Sequence, residues 1–322
     1  MRPGVLITEP FLKETVWGSG RLQSGWGKDM GPDSKLGEAW EVSCLDGGES
    51  GVLGGGPNLR QLYERDPAWF RGDEAPSGPF PFLVKLIATS DALSLQVHPD
   101  DGDARRLEGA PRGKHEAWLI LEAEPGAVLY AGLAEGVGKA ELGDALRAQD
   151  SDAVRGLLRE VAVEPGQVFD IAPGTVHAIG PGLVLLEIQQ PSDITYRVFD
   201  WGRVGLDGKP RELQVAKALD VIKESARPVP VSRVGTLSGM DGDILLRTAE
   251  FRLERWRVDG QVRVPVTELL TCVCVGGEGM VAALNDAPQA LLRGRSCVIP
   301  RGVSMATFEG RGLDMVVALP PA

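Results

Sequence analysis

The chain has 322 residues, of which 43% are hydrophobic and 25% charged, as in a soluble globular protein of one large or two ordinary domains. Its formal net charge of −11 argues against binding to nucleic acids, whose phosphate backbone attracts basic surfaces. No stretch approaches the run of about 18 apolar residues that a membrane span needs, and the N-terminus lacks a signal-peptide pattern. Four scattered cysteines cannot form a disulfide framework and favour a cytoplasmic protein.

Short apolar or alternating segments, separated by glycine and proline turns, dominate the first half of the chain and predict a series of β-strands. The clearest of these predicted strands are 83–88, 93–98, 116–122, 126–131, 168–171 and 183–189. Because they follow each other at short spacing, they indicate an antiparallel barrel or sandwich.

Helical patterns are fewer, and the predicted fold is therefore mainly β with a few short helices. The predicted helices are 58–70, 139–149, 152–160 and 211–223, with Ser151 as the expected cap of the third. A segment with two prolines, 224–235, predicts a linker, and strand patterns resume from about residue 245. We therefore expect a first domain over 1–225 and a second, β-rich domain over 236–322.

Two segments of the chain resemble each other. Residues 166–177 read GQVFDIAPGTVH and residues 294–305 read GRSCVIPRGVSM. In both, a second glycine follows the first by eight positions, with a proline next to it or nearby. His177 of the first segment corresponds to Met305 of the second. This similarity predicts two related β-barrels, of which only the first carries a histidine at this position.

The three histidines His98, His115 and His177 limit any metal site that uses this side chain. Side chains alternate between the two faces of a strand, so Ser94, Gln96 and His98 of LSLQVHP share one face. A polar row on the inner wall of a barrel is costly unless it binds something. The alternative is that this row faces solvent.

His115 and Glu116 are neighbours and must point to opposite faces of a strand, so at most one of them can reach a metal beside His98. A proline-glycine turn brings His177 to the beginning of a further strand. Two histidines, a carboxylate and a neutral oxygen would suit zinc or another divalent first-row metal. Taken alone, Glu116 is better interpreted as a surface carboxylate at the start of a strand.

The segment 185–203 carries further charged groups. Glu187 and Gln189 share one strand face, and Asp193 and Arg197 lie four apart beyond a proline-serine turn. Near a metal, a carboxylate and a guanidinium could transfer a proton and stabilise an anion. A structural salt bridge between Asp193 and Arg197 is the alternative.

Several longer motifs, in a fixed order, point to a known family. They are WGS at 17–19, GEAWEVS at 37–43, FPFLVKLI at 80–87, LSLQVHPDD at 93–101, GKHEAW at 113–118, PGTVHAIG at 173–180 and the block 187–203. With these motifs the chain resembles the type I phosphomannose isomerases in their short bacterial form, from about residue 8 to residue 223. The last ninety residues carry little of the family pattern.

The resemblance implies two cupin-type antiparallel β-barrels of the jelly-roll kind, of which the second has lost its ligands. It implies one zinc ion per chain, held by Gln96, His98, Glu116 and His177. It further implies that the substrate pocket is lined by Lys85, Glu187, Asp193 and Arg197. The implied reaction interconverts D-mannose 6-phosphate and D-fructose 6-phosphate by proton transfer through a cis-enediol, in a monomer or homodimer that binds neither nucleic acid nor membrane.

Two positions depart from the family pattern. The turn before His177 reads Ala172-Pro173-Gly174 where relatives have proline-alanine-glycine, and Gln214 stands where many relatives have a histidine. Neither position belongs to the implied metal ligands.

Two other functions remain compatible with these motifs. One is a cupin oxygenase with iron on two histidines and one carboxylate. The other is a non-catalytic sugar-phosphate sensor on the same fold. A structural zinc site on Cys272 and Cys274, with Cys297 and Cys44, is less favoured than ordinary buried thiols, because the paired C-x₂-C spacing is missing.

Overall fold

The structure, a computed structural model, describes residues 2, 4–31, 34–74, 78–284 and 286–321. Its strands are β1 Leu6–Glu9, β2 Phe11–Glu14, β3 Leu36–Val42, β4 Gly51–Val52, β5 Leu83–Ala88, β6 Leu95–Val97, β7 Glu116–Ala123, β8 Val128–Leu133, β9 Leu158–Ala162, β10 Val168–Ile171, β11 His177–Ile179, β12 Leu183–Gln189, β13 Tyr196–Phe199, β14 Pro230–Val231, β15 Gly235–Thr236, β16 Gly242–Arg247, β17 Arg252–Pro265, β18 Leu270–Ala283, β19 Gln289–Leu292, β20 Ser296–Ile299 and β21 Met305–Leu319. Its helices are α1 Arg21–Trp26, α2 Leu59–Arg65, α3 Pro67–Arg71, α4 Asp101–Glu108, α5 Lys139–Ala148, α6 Ser151–Gly156, α7 Val215–Val221 and the 3₁₀-helix Arg301–Val303.

Two antiparallel sheets form the first barrel. One has the strand order β14-β10-β7-β12-β5-β3-β2 and the other β13-β6-β11-β8-β9. Apolar side chains from both sheets meet in a shared buried layer that includes Trp118, Leu129, Phe169 and Leu185. A second apolar layer, on the outer face of the smaller sheet, packs it against helices α5, α6 and α7. The site described below lies between the two sheets.

A third antiparallel sheet forms most of the C-terminal half, in the order β15-β16-β17-β21-β18-β20-β1-β4, with β19 beside β18. Its inner layer is filled by large apolar side chains such as Trp256, Phe308 and Met315. Strand β1 pairs with β20, so the first strand of the chain joins the sheet of the C-terminal half. The predicted division into 1–225 and 236–322 stays a prediction.

The mainly β, cupin-type architecture predicted from the sequence is confirmed, and several strands have the predicted bounds. Strands β5, β10 and β12 match the predicted segments residue for residue. Strand β6 is shorter than predicted, because only Leu95–Val97 pair with their neighbours. His98 therefore lies just beyond the end of its strand.

The predicted helix 58–70 is wrong in one respect, since the structure has two helices there. Pro67 has no N–H to donate within a helix and instead opens α3, and the side chain of Asp66 accepts a hydrogen bond from the backbone of Trp69. Asn58 caps the preceding helix α2. A proline at the first position of a helix thus marks the break.

The predicted helix 152–160 is also wrong in its second half. Helix α6 ends at Gly156, and residues 158–162 form β9, which pairs with β8. The capping side chain is that of Asp150 rather than Ser151, and it accepts from the backbone of Asp152 and Ala153. Pairing with a neighbouring strand overrides the local helical pattern here.

The predicted helix 211–223 begins later, at Val215. Gln214 accepts a hydrogen bond from the backbone of Arg197 at 2.9 Å, and its own backbone donates to the carbonyl of Arg197 at 2.8 Å. Residues before Val215 therefore run beside β13 instead of continuing the helix. The glutamine that departs from the family pattern thus fixes the strand that carries Arg197.

The two similar segments share a short strand but differ in the turn after it, where Gly174 has a positive φ in the first and Arg301–Val303 form a 3₁₀-helix in the second. In each, a glycine with positive φ (Gly166 or Gly294) precedes a four-residue strand, β10 or β20. The next strand begins at His177 in the first copy and at Met305 in the second. None of the helices in the described part of the chain has the length and apolar character that a membrane crossing requires.

Candidate functional site

Strand register brings the predicted site residues together between the two sheets of the first barrel. Strand β6 lies between β11 and β13, so that Gln96 is directly opposite His177 on one side and Arg197 on the other. Glu116 begins β7 of the larger sheet. Leu95 and Val97 point away, into the layer beneath the helices, as the alternation predicts. Leu93 is an exception, because it lines the cavity together with Ser94.

His98, Glu116 and His177 form a compact buried cluster. One ligand atom from each lies within 4.8 Å of the others. The two carboxylate oxygens of Glu116 are divided between the imidazoles, with Oε1 at 3.2 Å from Nε2 of His177 and Oε2 at 3.4 Å from Nε2 of His98. All three side chains are at most 1% exposed. Gln96 adds its carboxamide, whose Nε2 is 3.3 Å from Nε2 of His177.

Backbone carbonyls fix the orientation of both imidazoles. Nδ1 of His98 lies 3.0 Å from the carbonyl oxygen of Ile194, and Nδ1 of His177 lies 2.9 Å from that of Thr175. A carbonyl accepts only from a protonated nitrogen, so Nδ1 donates in both contacts and Nε2 is directed into the cluster. Imidazoles that bind metals commonly have this second-nitrogen contact.

The turn before His177 is held in place from two sides. The backbone of Gly174 donates to the carbonyl of His98 and accepts from the backbone of Lys223. Gly174 has a φ of +87°, and a Cβ there would lie 2.9 Å from the carbonyl oxygen of Val221. Only glycine fits this conformation and this space. The glycine of the proline-glycine turn before His177 is therefore required for steric reasons.

Burial and neighbouring charges set the protonation states in the cluster. Burial, assisted by the nearby Lys114 ammonium, lowers the pKa of His98 to about 3. Burial alone would raise the pKa of Glu116, but Lys114 and His98 more than offset this and hold it well below its ordinary value. At neutral pH the cluster therefore offers neutral His98 and an ionised carboxylate, which are the forms that bind metals.

The donor set fits a divalent metal ion. Both carboxylate oxygens of Glu116 are buried without a well-aligned hydrogen bond, although Nζ of Lys114 lies 2.6 Å from Oε2. The Lys114 ammonium pairs with one oxygen, and a metal ion would satisfy the remaining lone pairs of this buried carboxylate. A half-turn of the Gln96 carboxamide would present its oxygen in place of its nitrogen. Two imidazoles, a carboxylate and an amide oxygen match the preferences of zinc and related metals.

His115 points away from this cluster, as the alternation of strand faces predicts. Its Nε2 lies 2.6 Å from Oδ1 of Asp170, and its ring packs against Phe251 of the C-terminal half at 5.5 Å. Of the two neighbours His115 and Glu116, only Glu116 therefore lies in the cluster.

A cavity of about 610 Å³ opens beside the cluster. The four residues that the family resemblance assigns to the substrate pocket all line it, namely Lys85, Glu187, Asp193 and Arg197. Gln96 lines it as well, together with Lys114, Trp17 and Arg211. This volume lies within the usual range for small-molecule sites and is large enough for a hexose phosphate.

Lys85 and Glu187 form a buried ion pair on one wall. Nζ of Lys85 is 3.1 Å from Oε1 of Glu187 and 3.8 Å from Oε2 of Glu38. Burial works against the ammonium, but Glu187 and Glu38 raise the pKa of Lys85 well above its ordinary value. Lys85 is therefore protonated at neutral pH. The same cation lies 5.0 Å from the centre of the Trp40 ring, which also favours the charged form.

Arg197 and Asp193 line the same cavity without pairing with each other. Nη1 of Arg197 donates to the carbonyl of Glu212 at 2.9 Å, and its buried Nε has no partner within the described part of the chain. Burial and the nearby Arg211 lower the pKa of Arg197. The ion pairs among the described residues do not include Asp193 with Arg197, so the structural salt bridge considered as an alternative is absent.

Lys114, Trp118 and Arg211 were missed by sequence reasoning. Lys114 stands two residues before Glu116, and this spacing alone could have placed both on one face of an extended segment. Nζ of Lys114 also lies 3.2 Å from Nε2 of His98. No sequence signal identifies Arg211, which is anchored by the distant Asp200 with Nε 2.7 Å from Oδ2.

The cysteines form no comparable cluster. All four are free, and Cys272 lies opposite Cys297 in adjacent strands of the C-terminal sheet. Burial raises the pKa of Cys274 to about 12. Among the residues that the structure describes, His98, Glu116 and His177 are the one group of this kind. This supports buried thiols over a structural zinc site.

The antiparallel sandwich and its histidine–glutamate cluster define a metal-binding β-barrel protein with a polar cavity. The chain is 33% identical to a mannose-6-phosphate isomerase of Streptococcus mutans, over 95% of either sequence, and 31% identical to the mannose-6-phosphate isomerase ManA of Bacillus subtilis, over 95% of this chain and 96% of that one. No protein-family model matches it.

The solved structures agree with these relatives. The crystal structure of a mannose 6-phosphate isomerase from Bacillus subtilis superposes with a TM-score of 0.88 at 28% identity, over 98% of this chain and 99% of the other. The chain therefore belongs to the mannose-6-phosphate isomerase family.

Proposed function

We propose that this protein interconverts D-mannose 6-phosphate and D-fructose 6-phosphate. The observation that carries the proposal is the placement of a buried carboxylate, Glu187, and a guanidinium, Arg197, on the walls of the cavity beside the His98–Glu116–His177 cluster. An aldose–ketose isomerisation needs a proton shuttle, a group that stabilises an oxyanion and a polarised carbonyl. The full-length similarity to isomerases supports the same reaction.

Zinc is the proposed metal, one ion per chain, with Gln96, His98, Glu116 and His177 as its ligands. The soft-to-borderline nitrogen donors favour it over magnesium or calcium, which prefer oxygen. When bound, zinc would polarise the sugar carbonyl as a Lewis acid. The protein's own contribution is the fixed Nε2 orientation of both imidazoles and the ionised state of Glu116.

Glu187 is the proposed base. It removes the proton from C2 of the open-chain aldose and returns it to C1 of the resulting cis-enediolate, while the hydroxyl proton passes from O2 to O1. Lys85 is a poor candidate, because its raised pKa keeps it protonated. Asp193 is exposed, and water competes there for its lone pairs. Lys85 instead holds Glu187 in place through their 3.1 Å ion pair.

Arg197 stabilises the negative oxygen of the enediolate. Its side chain lines the cavity, and its buried Nε lacks a partner in the described structure. Its main chain is held by Gln214, so that the guanidinium is directed by a rigid strand. Donors that are placed before the reaction need little rearrangement in the transition state.

A coupled assay on mannose 6-phosphate, with and without a chelator, tests the proposal. We expect turnover that chelation abolishes and zinc restores, and about one zinc per chain by elemental analysis. Full activity in metal-free protein would contradict the metal assignment. Turnover under anaerobic conditions separates the isomerase from an oxygenase, and an absence of turnover despite binding of the sugar phosphate would favour a sensor.

The cytoplasmic location and the monomeric or homodimeric state stay predictions. Gel filtration with light scattering would decide the second.

A further inference from the structure

Trp118 is a fully buried residue that touches both halves of the proposed site. It follows Glu116 by two positions on β7, so both side chains face the interior between the sheets. Glu187 lies directly opposite on β12. The indole Nε1 of Trp118 donates a hydrogen bond to Oε2 of Glu187 at 3.1 Å.

The same indole supports a proposed metal ligand. Its ring meets the imidazole of His177 edge-on, with centroids 5.2 Å apart and an interplanar angle of 75°. This geometry is favourable for aromatic pairs and restricts rotation of the imidazole. Trp118 is not among the residues that line the cavity, so it reaches the substrate only through its neighbours.

The two oxygens of Glu187 have different partners. Lys85 lies 3.1 Å from Oε1, whereas Oε2 accepts from Trp118. Without the indole N–H, Oε2 would be buried with no donor, which is costly, and the carboxylate would rotate to improve its contact with Lys85. A displacement of about 1 Å in a reacting group can cost on the order of 10² in rate.

We propose that Trp118 is a positioning residue for the isomerisation: its N–H aims the Glu187 carboxylate at the sugar while its ring edge braces His177. The inference rests on the proposed function. It assigns Trp118 no contact with the substrate and no proton transfer.

Replacement of Trp118 by phenylalanine removes the N–H and keeps an aromatic ring. We expect kcat to fall about 10- to 100-fold, the usual effect of losing a group that orients a functional side chain, with KM and zinc content little changed. Trp256→Phe is the matched control. Its buried indole donates to Oε2 of Glu254 at 2.8 Å in the C-terminal sheet, far from the cavity. This control should lower the melting temperature similarly and leave kcat unchanged.

A double-mutant cycle with Glu187→Gln tests whether Trp118 acts through Glu187. If it does, Trp118→Phe should have little further effect on kcat in the Glu187→Gln background. Trp118→His, whose Nε2 can occupy the place of the indole Nε1, should recover part of the lost kcat. Equal losses of kcat in both backgrounds, or an unchanged kcat in folded Trp118→Phe, would overturn the inference.

The wild-type protein separates this test from the proposed function. If wild type does not turn over mannose 6-phosphate, the proposed function fails. If wild type is active and Trp118→Phe retains wild-type kcat, only the role of Trp118 fails. Should neither variant at position 118 fold, the indole N–H signal of Trp118 is compared by NMR in wild type and Glu187→Gln: a signal that shifts with this substitution supports the hydrogen bond on which the positioning role depends, and an unchanged signal contradicts it.

Discussion

The two similar segments, 166–177 and 294–305, share one short strand, but they differ in the turn that follows it and in the residue that begins the next strand. In the first, His177 begins β11 opposite Gln96, which lines the cavity of the first barrel. In the second, Met305 begins β21 opposite Pro265, which has no side-chain donor or acceptor. The two segments share a four-residue strand before the turn, β10 or β20, and a glycine with positive φ before that strand. The shared pattern thus specifies a strand start but not a function.

The interiors of the two halves differ in the same way. His98, Glu116 and His177 are buried in the first barrel, whereas Trp256, Phe308 and Met315 fill the layer inside the C-terminal sheet. A metal site requires several inward-facing donor side chains from different strands at once. A similar segment in the C-terminal sheet therefore does not make a site by itself. The following predictions test this contrast, beginning with the largest expected effect.

Removal of one cluster histidine should abolish metal binding and most activity. We expect His98→Ala and His177→Ala to lose most of their zinc and about 10³-fold in kcat, because a bound metal contributes several kcal/mol to stabilisation of the transition state. His115→Ala is the control, since its imidazole faces Asp170 and should leave zinc content unchanged. Elemental analysis and the coupled assay measure both. Equal zinc loss in all three variants would show that the cluster is not the metal site.

Arg197→Lys should lower kcat by about 10²–10³ while fold and metal are retained. Lysine carries one flexible point charge, whereas arginine presents a planar fork of donors. Because the interaction is made chiefly in the transition state, kcat and kcat/KM should fall together. Steady-state kinetics measure both constants. Wild-type kcat with a much higher KM would place Arg197 on the substrate phosphate, and a lower melting temperature alone would make it structural.

Metal-free protein should lose stability as the pH falls from about 6.5 to about 3. The pKa of His98 is about 6.5 in the unfolded chain and about 3 in the folded protein. Between these two pH values the unfolded state binds one more proton than the folded state, so acid favours unfolding. The loss attributable to His98 reaches at most about 1.4 kcal/mol per pH unit. Urea unfolding of chelated wild type and His98→Gln isolates it by difference. Parallel pH curves for the two proteins would contradict the shift.

Met305→His should leave the zinc content at about one ion per chain. The new imidazole would lie opposite Pro265, and the neighbouring Ala306 is paired with Ala283 and Val264, so no second ligand is near. Elemental analysis compares it with wild type. A second equivalent of zinc would show that the C-terminal sheet retains a latent site.

Local sequence signals predicted six strands of the first barrel, but they did not predict the ends of several helices. Alternation along 183–189 and the run 83–88 fixed β12 and β5 to the residue. The helix predicted at 152–160 failed because residues 158–162 pair with β8, a contact between segments that the local pattern does not contain. The strand predicted at 93–98 shortened for the same kind of reason, since its partners reach only Leu95–Val97.

The amino-acid sequence by itself determined the mainly β fold, the family and the composition of the metal cluster. Period-two alternation is a local property of the chain, and it was sufficient to place Glu116 and His115 on opposite faces of their strand. The family motifs then named Glu116, together with Gln96, His98 and His177.

Only the tertiary structure decided how these groups act on each other. The ion pair of Lys85 with Glu187, the approach of Lys114 to His98 and the hydrogen bond from Trp118 to Glu187 each join residues from different segments of the chain. Protonation states depend on burial and on charges within a few ångströms, and both arise only when the sheets close around the site. The register between strands, which no single segment encodes, therefore sets the chemistry of this cavity.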